Sequence, residues 1–168
     1  MTVAQPTSIE PVTRENWRST LPLEVAPDQQ RFVAHYSPIS LVILAKAHVG
    51  ALGKHWVPLL IRRDGEPAGM VAVAYDESDP AADCWVFHFF IDHRHQGTGT
   101  GSAALLSLLH NLRQTRPACR RVVLTVHPEN LPAQRLYRKH GFSPTGDFVD
   151  GEPVYALTPR TEIRVDVR

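Results

Sequence analysis

Cys84-Trp85-Val86-Phe87-His88-Phe89-Phe90-Ile91 is followed by Gln96-Gly97-Thr98-Gly99-Thr100-Gly101, and then by leucines at 105, 108, 109 and 112. The first run is almost continuously apolar and rich in aromatic and β-branched side chains. It reads as a strand buried on both faces. The leucines recur at i, i+3, i+4 and i+7 and predict an amphipathic helix. Between them the glycines let the backbone approach a ligand with its N–H groups turned inward. The helix start adds unpaired amides and the positive end of its dipole. A strand, such a turn and a helix in that order make a phosphate site.

Two common nucleotide motifs do not fit this turn. A P-loop needs Gly-Lys-Ser/Thr, and Gly101-Ser102 has no lysine before Ser102. A dinucleotide fingerprint needs a glycine at 102, where serine stands, and an acid about 20 residues on at a strand end, which is missing.

Working outward, Arg121 to His127 alternates Val122, Leu124 and Val126 on one face and reads as a strand. Asn130 is placed to N-cap a helix with Pro132 in its first turn. Ala133, Leu136, Tyr137 and His140 mark one face of that helix, and Gly141 stands where its C′ residue belongs, with Phe142 folding back. Asp150-Gly151 predicts a hairpin between strands near Phe148 and Val154 to Leu157. Upstream, Trp56 to Ile61 and Ala68 to Tyr75 form another hairpin around Asp64-Gly65, and Asp76 to Asp83 is a loop. Ile9 to Val12 is a short strand. Thr13 is expected to cap one helix and Asp28 a second containing Phe32, Val33 and Tyr36; Pro38 interrupts it and Ser40 restarts it. The order is that of a mixed α/β sheet with at least one parallel pair around the Leu105 helix.

The bulk numbers bound the function. At 168 residues, 43% hydrophobic, the chain is sized for one domain. A formal net charge of +1 asks for neither nucleic acid nor a membrane surface. The two cysteines, Cys84 and Cys119, form no metal-ligand pair and fit a reducing cytoplasm. Met1 to Glu10 has no signal-peptide pattern, and no apolar run is long enough to span a membrane. The nine histidines include no metal-binding pair or Cys/His cluster, so no metal is expected.

Gln96-x-x-Gly99-x-Gly101 after an aromatic strand resembles the acetyl-CoA signature of the GNAT N-acetyltransferase superfamily. Phe89 to Asp92, His127-Pro128-Glu129-Asn130, Leu136-Tyr137, Gly141-Phe142, Thr145-Gly146 and Asp150-Gly151-Glu152 are similar to its spermine/spermidine branch. So are Pro11 to Trp17, Leu23 to Pro27 and Phe32-Val33. The resemblance covers roughly residues 9 to 157, leaving 158 to 168 as a tail to a single domain. Thr98 and Thr100 depart from it, because many members carry a basic or bulky residue there.

The resemblance implies a mostly antiparallel twisted sheet with a splayed parallel central pair and about four flanking helices. It implies acetyl-CoA as cosubstrate. Backbone groups of Phe89, Phe90 and Ile91 would run beside the pantetheine arm. Gln96, Gly97, Thr98, Gly99, Thr100, Gly101 and Ser102 would hold the pyrophosphate. Asn130 would bond the arm, and Tyr137 would lie near the sulfur. The acceptor would be a small primary amine, a polyamine such as spermidine or spermine in this branch, and a homodimer is the oligomer to test.

The chemistry needs a neutral amine, a polarised carbonyl and a proton for the thiolate. Tyr137, a phenol with pKa ~10, suits the acid role against a thiolate of pKa ~8.5. On residues alone it reads sooner as a core aromatic, and the resemblance turns the reading toward the acid. His88 is the candidate base. Period 2 puts it on the face opposite Phe87 and Phe89, where it is also readable as a hydrogen-bonded core histidine. Glu24 and Glu152 are the candidate substrate carboxylates, and each is otherwise a solvated charge. The rivals are an acetyltransferase for an antibiotic, amino sugar or protein amine, a CoA-binding sensor without turnover, and a nucleotide-binding module.

Overall fold

The computed structural model describes residues 7–159. The first six residues and nearly all of the expected tail lie outside the described residues. Among the described residues seven strands form one sheet in the order β1-β2-β3-β4-β5-β7-β6. They are β1 (Ser8–Pro11), β2 (His55–Arg63), β3 (Glu66–Tyr75), β4 (Cys84–Ile91), β5 (Val122–Thr125), β6 (Ser143–Val149) and β7 (Glu152–Leu157). Every neighbouring pair is antiparallel except β4–β5. The α-helices are α1 (Ile39–Val49), α2 (Thr100–Thr115) and α3 (Leu131–Lys139).

The sheet divides two apolar layers. On β3, Val71 and Val73 join the leucine face of α2, while Met70, Ala72 and Ala74 join Ile39 and Ile43 of α1. This is the alternation a pleated strand imposes, with both faces covered. The capping signals of α3 are realised. Asn130 Oδ1 accepts from the Ala133 amide at 3.3 Å. Gly141 takes φ 92°, and the Phe142 amide donates to the Tyr137 carbonyl at 3.0 Å, closing the helix.

The front third departs from expectation. The helices expected at Thr13 and Asp28 are 3₁₀ turns, Trp17–Thr20 and Pro27–Phe32. Thr13 Oγ1 accepts from the Glu15 amide at 3.2 Å, a local turn instead of a helix cap. Pro27 opens the second turn, so Asp28 lies inside it. Prolines 22, 27 and 38 leave only short windows, and α1 begins after the last of them.

Candidate active site

The site is built where β4 and β5 part. Their parallel pairing covers only Cys84↔Val122 and Trp85↔Val123, whereas β4 runs on to Ile91. From Val86 onward the β5-facing edge of β4 has no strand partner among the described residues, and a wedge opens. Phe89, Phe90 and Ile91 lie on the lip of that wedge.

A bulge shapes this lip. On β3, Met70 and Ala72 pair with Phe90 and Phe87, so Val71 alone faces both His88 and Phe89. His88 is the extra residue, with φ 51°. Strict alternation therefore fails here. Val86 and Phe89 pack into the α2 layer and Phe87 and Phe90 into the α1 layer. His88 lies with the α1 side, not opposite Phe87 as alternation predicts. Its Nδ1 donates to the Val33 carbonyl at 2.7 Å, since a carbonyl only accepts. Its Nε2 then accepts from Lys46 Nζ at 2.8 Å. Burial, helped by the Lys46 charge, brings the pKa of His88 down to about 4. Lys46 itself is lowered by desolvation, with its ammonium 5.5 Å from the Trp56 ring centre and 5.9 Å from that of Phe87. No sequence signal joins Lys46 to His88, 42 residues apart.

At the end of β4 the fully buried side chain of Asp92 ties three segments together. It accepts from the Arg94 amide (3.0 Å) and Nε (2.7 Å), and from the Glu24 amide (3.0 Å). Burial works to raise its pKa, but these bonds outweigh it and leave it lowered. Gln96 follows, its Nε2 donating to the Ile91 carbonyl at 2.9 Å. Gly97 and Gly99 take φ 70° and 81°, and among the described residues a Cβ on either would meet nothing within 4 Å. The first α-helical bond runs from the Ala103 amide to the Gly99 carbonyl, so the amides of Thr100, Gly101 and Ser102 have no helical partner. The turn thus offers open glycines and unpaired amides, as a pyrophosphate requires. Ser102 Oγ and His140 Nε2 share a 2.7 Å hydrogen bond, which joins the start of α2 to the end of α3.

The other lip is α3. Tyr137 is 6% exposed, with its ring 6.4 Å from that of Phe89 and 5.8 Å from that of Phe142. Burial, and then the charge of Glu152, raise its pKa. It is a core aromatic whose hydroxyl stays protonated. Asn130 spends Oδ1 on its helix cap. Glu152 accepts from Thr125 Oγ1 at 2.8 Å at the foot of this lip. Glu24 lies across the wedge at the end of β4, its exposed carboxylate 3.8 Å from His93 Nε2. The structure brings Glu152 toward Tyr137 and leaves Glu24 at the rim. Among the described residues no group of three or more His, Cys, Asp or Glu could hold a metal, and no helix is long and apolar enough to cross a membrane.

A splayed parallel pair, a glycine turn opening a helix and a buried tyrosine thus stand together. The model of the Acetyltransferase (GNAT) family matches residues 13–142, and the chain belongs to that family. It is an acetyl-CoA-dependent N-acetyltransferase. Spermine/spermidine N(1)-acetyltransferase of Bacillus subtilis (strain 168) is 28% identical over 152 residues, 88% of this chain and 95% of that protein. Among solved structures, AAC(6′)-Ib in complex with paromomycin and acetyl-CoA has a TM-score of 0.74 at 17% identity, covering 96% of this chain and 99% of that one. The ribosomal L7/L12 alpha-N-protein acetyltransferase RimL, in complex with coenzyme A, has a TM-score of 0.67 at 17% identity, covering 93% and 96%. These two likenesses establish the fold.

Proposed function

We propose that the chain acetylates a small primary amine by direct attack on acetyl-CoA in a ternary complex, with polyamines such as spermidine and spermine as the first acceptors to test. The observation that carries this is the wedge itself: a phosphate cradle, Gly97 to Ser102, on one lip, and a protonated, buried Tyr137 on the other. The pantetheine arm lies along Phe89 to Ile91, and the free amide of Asn130 bonds it. Backbone N–H groups of β4 polarise the thioester carbonyl. The amine nitrogen forms the C–N bond, the C–S bond breaks, Tyr137 protonates the leaving thiolate, and the proton shed by the new amide nitrogen returns through water to Tyr137.

Magnitudes decide how the amine loses its proton. Passing it from an alkylammonium of pKa ~10.4 to a His88 of pKa about 4 is uphill by about 9 kcal/mol. Finding that amine already neutral at pH ~7.4 costs only about 4 kcal/mol. His88 therefore does not take that proton, its one acceptor nitrogen being held by Lys46, and the proton leaves to water. Glu152, close enough to raise the pKa of Tyr137, steadies a second ammonium of the acceptor.

Lys46 favours a second reading. Its ammonium on the His88 side repels a polycation and suits an acceptor with one amine and a neutral or anionic remainder. CoA release with spermidine, spermine, an aminoglycoside, an amino sugar and a peptide amine separates the two. Tyr137→Phe is expected to lower kcat about 100-fold with the preferred amine while acetyl-CoA affinity stays within about twofold. Binding of acetyl-CoA without turnover on any amine supports the sensor alternative instead.

A further inference from the structure

From Gln96 to Ser102 the phosphate turn carries no charged side chain. Amides and a helix dipole supply only partial charges there. A full charge arrives from another element. Arg63, the last residue of β2, reaches the turn from 35 residues upstream. Its Nη1 donates to the Thr98 carbonyl at 2.9 Å, to Thr98 Oγ1, and to Thr100 Oγ1 at 2.6 Å. Thr98 Oγ1 passes the chain on to the His95 carbonyl at 2.6 Å. Thr100, at the first position of α2, is 1% exposed, so this arginine grips the buried root of the helix. Among the described residues the one carboxylate in ion-pair range is Asp64, 3.6 Å from Nε and 54% exposed. A solvated partner at that distance leaves most of the positive charge uncancelled.

We propose that Arg63 is a positioning residue for coenzyme A. It holds the Thr98–Thr100 turn in the shape that presents the amides of Gly97 to Ser102, and it sets a full positive charge behind the pyrophosphate they receive. Thr98 and Thr100 are then the acceptors that dock this imported charge. The proposal rests on acetyl-CoA being the donor.

Calorimetric titration of CoA into Arg63→Gln and Arg63→Lys, with folding checked by thermal unfolding, tests it. Gln keeps a donor and loses the charge, and its Kd is expected to rise about tenfold. Lys keeps the charge and loses the planar fork, and its Kd is expected within about threefold of the parent. The salt dependence of Kd should be shallower in the Gln variant, which a purely structural loss would not produce. With S-acetylpantetheine, which has no pyrophosphate, kcat/KM of the Gln variant should drop no more than about twofold. Equal Kd for the Lys and Gln variants, or an equal loss with S-acetylpantetheine, overturns the proposal. A parent protein that binds no CoA overturns the cosubstrate reading instead. If the Gln variant does not fold, the Lys variant with the salt series decides: a threefold or smaller loss with the parent slope supports the charge role, and a tenfold loss defeats it.

Discussion

His88 shows what one residue's surroundings do to its chemistry. An imidazole in the unfolded chain titrates near ~6.5. In the folded chain burial and Lys46 hold it to about 4. Between those values the unfolded state binds the extra proton, so the stability is whole above pH ~6.5 and is lost as pH falls toward 4. The full loss is about 3 kcal/mol. His88→Asn tolerates the positive φ and still offers an amide donor to Val33. Urea melts at pH 7 and pH 4.5 should show the acid loss shrink by about 2 kcal/mol in this variant. An unchanged difference means that His88 is not what makes the fold acid-sensitive. The histidine was visible in the sequence as a candidate, but not its partner or its side of the sheet. Both depend on a bulge, which residue types alone do not reveal.

At the scale of elements, legibility tracked how strongly the local pattern constrained the chain. β4, α2 and α3 were readable because a continuous apolar run, a leucine stripe and a pair of caps each admit few alternatives. The segment from Thr13 to Pro38 was not, because its prolines and short apolar stretches suit several turns equally well. The wedge lies between these cases. The parallel pair was legible, but its parting after Trp85 reflects the bulge and the close seat of β4 on β3. Gly69 permits that seat: a Cβ there would lie 2.2 Å from the Phe90 carbonyl oxygen. Backbone cannot give way as a flexible side chain can. Gly69→Ala should therefore cost about 2 kcal/mol and lower Tm by roughly 4–8 °C, with loss of CoA affinity as the lip shifts. A Tm within about 1 °C of the parent shows that β4 has slack at this point.

Across the whole molecule, distant parts of the chain meet around the wedge, and one segment bridges its lips. Residues 24 to 33 begin at the end of β4, where the Glu24 amide bonds Asp92. Gln29 and Gln96 then exchange hydrogen bonds at 2.9 and 3.1 Å beside the glycine turn. Arg31 pairs with Glu129, and the Phe32 ring lies 4.9 Å from that of His127, on the loop before α3. None of this is legible in the sequence, since each contact joins residues more than 60 positions apart with no pattern linking them. The ion pair is more than half exposed on both sides, so solvent screens most of its attraction. Its effect belongs to the cleft. Removing both contacts with Arg31→Ala and Phe32→Ala should free the segment from the α3 lip and leave the glycine turn and Tyr137 in place. The expected outcome is a Tm lowered by no more than about 4 °C, a CoA Kd within about twofold, and an acceptor KM raised at least about threefold. An acceptor KM equal to the parent's means that the amine enters without touching this bridge. A weakened CoA Kd places the bridge on the cosubstrate side of the wedge.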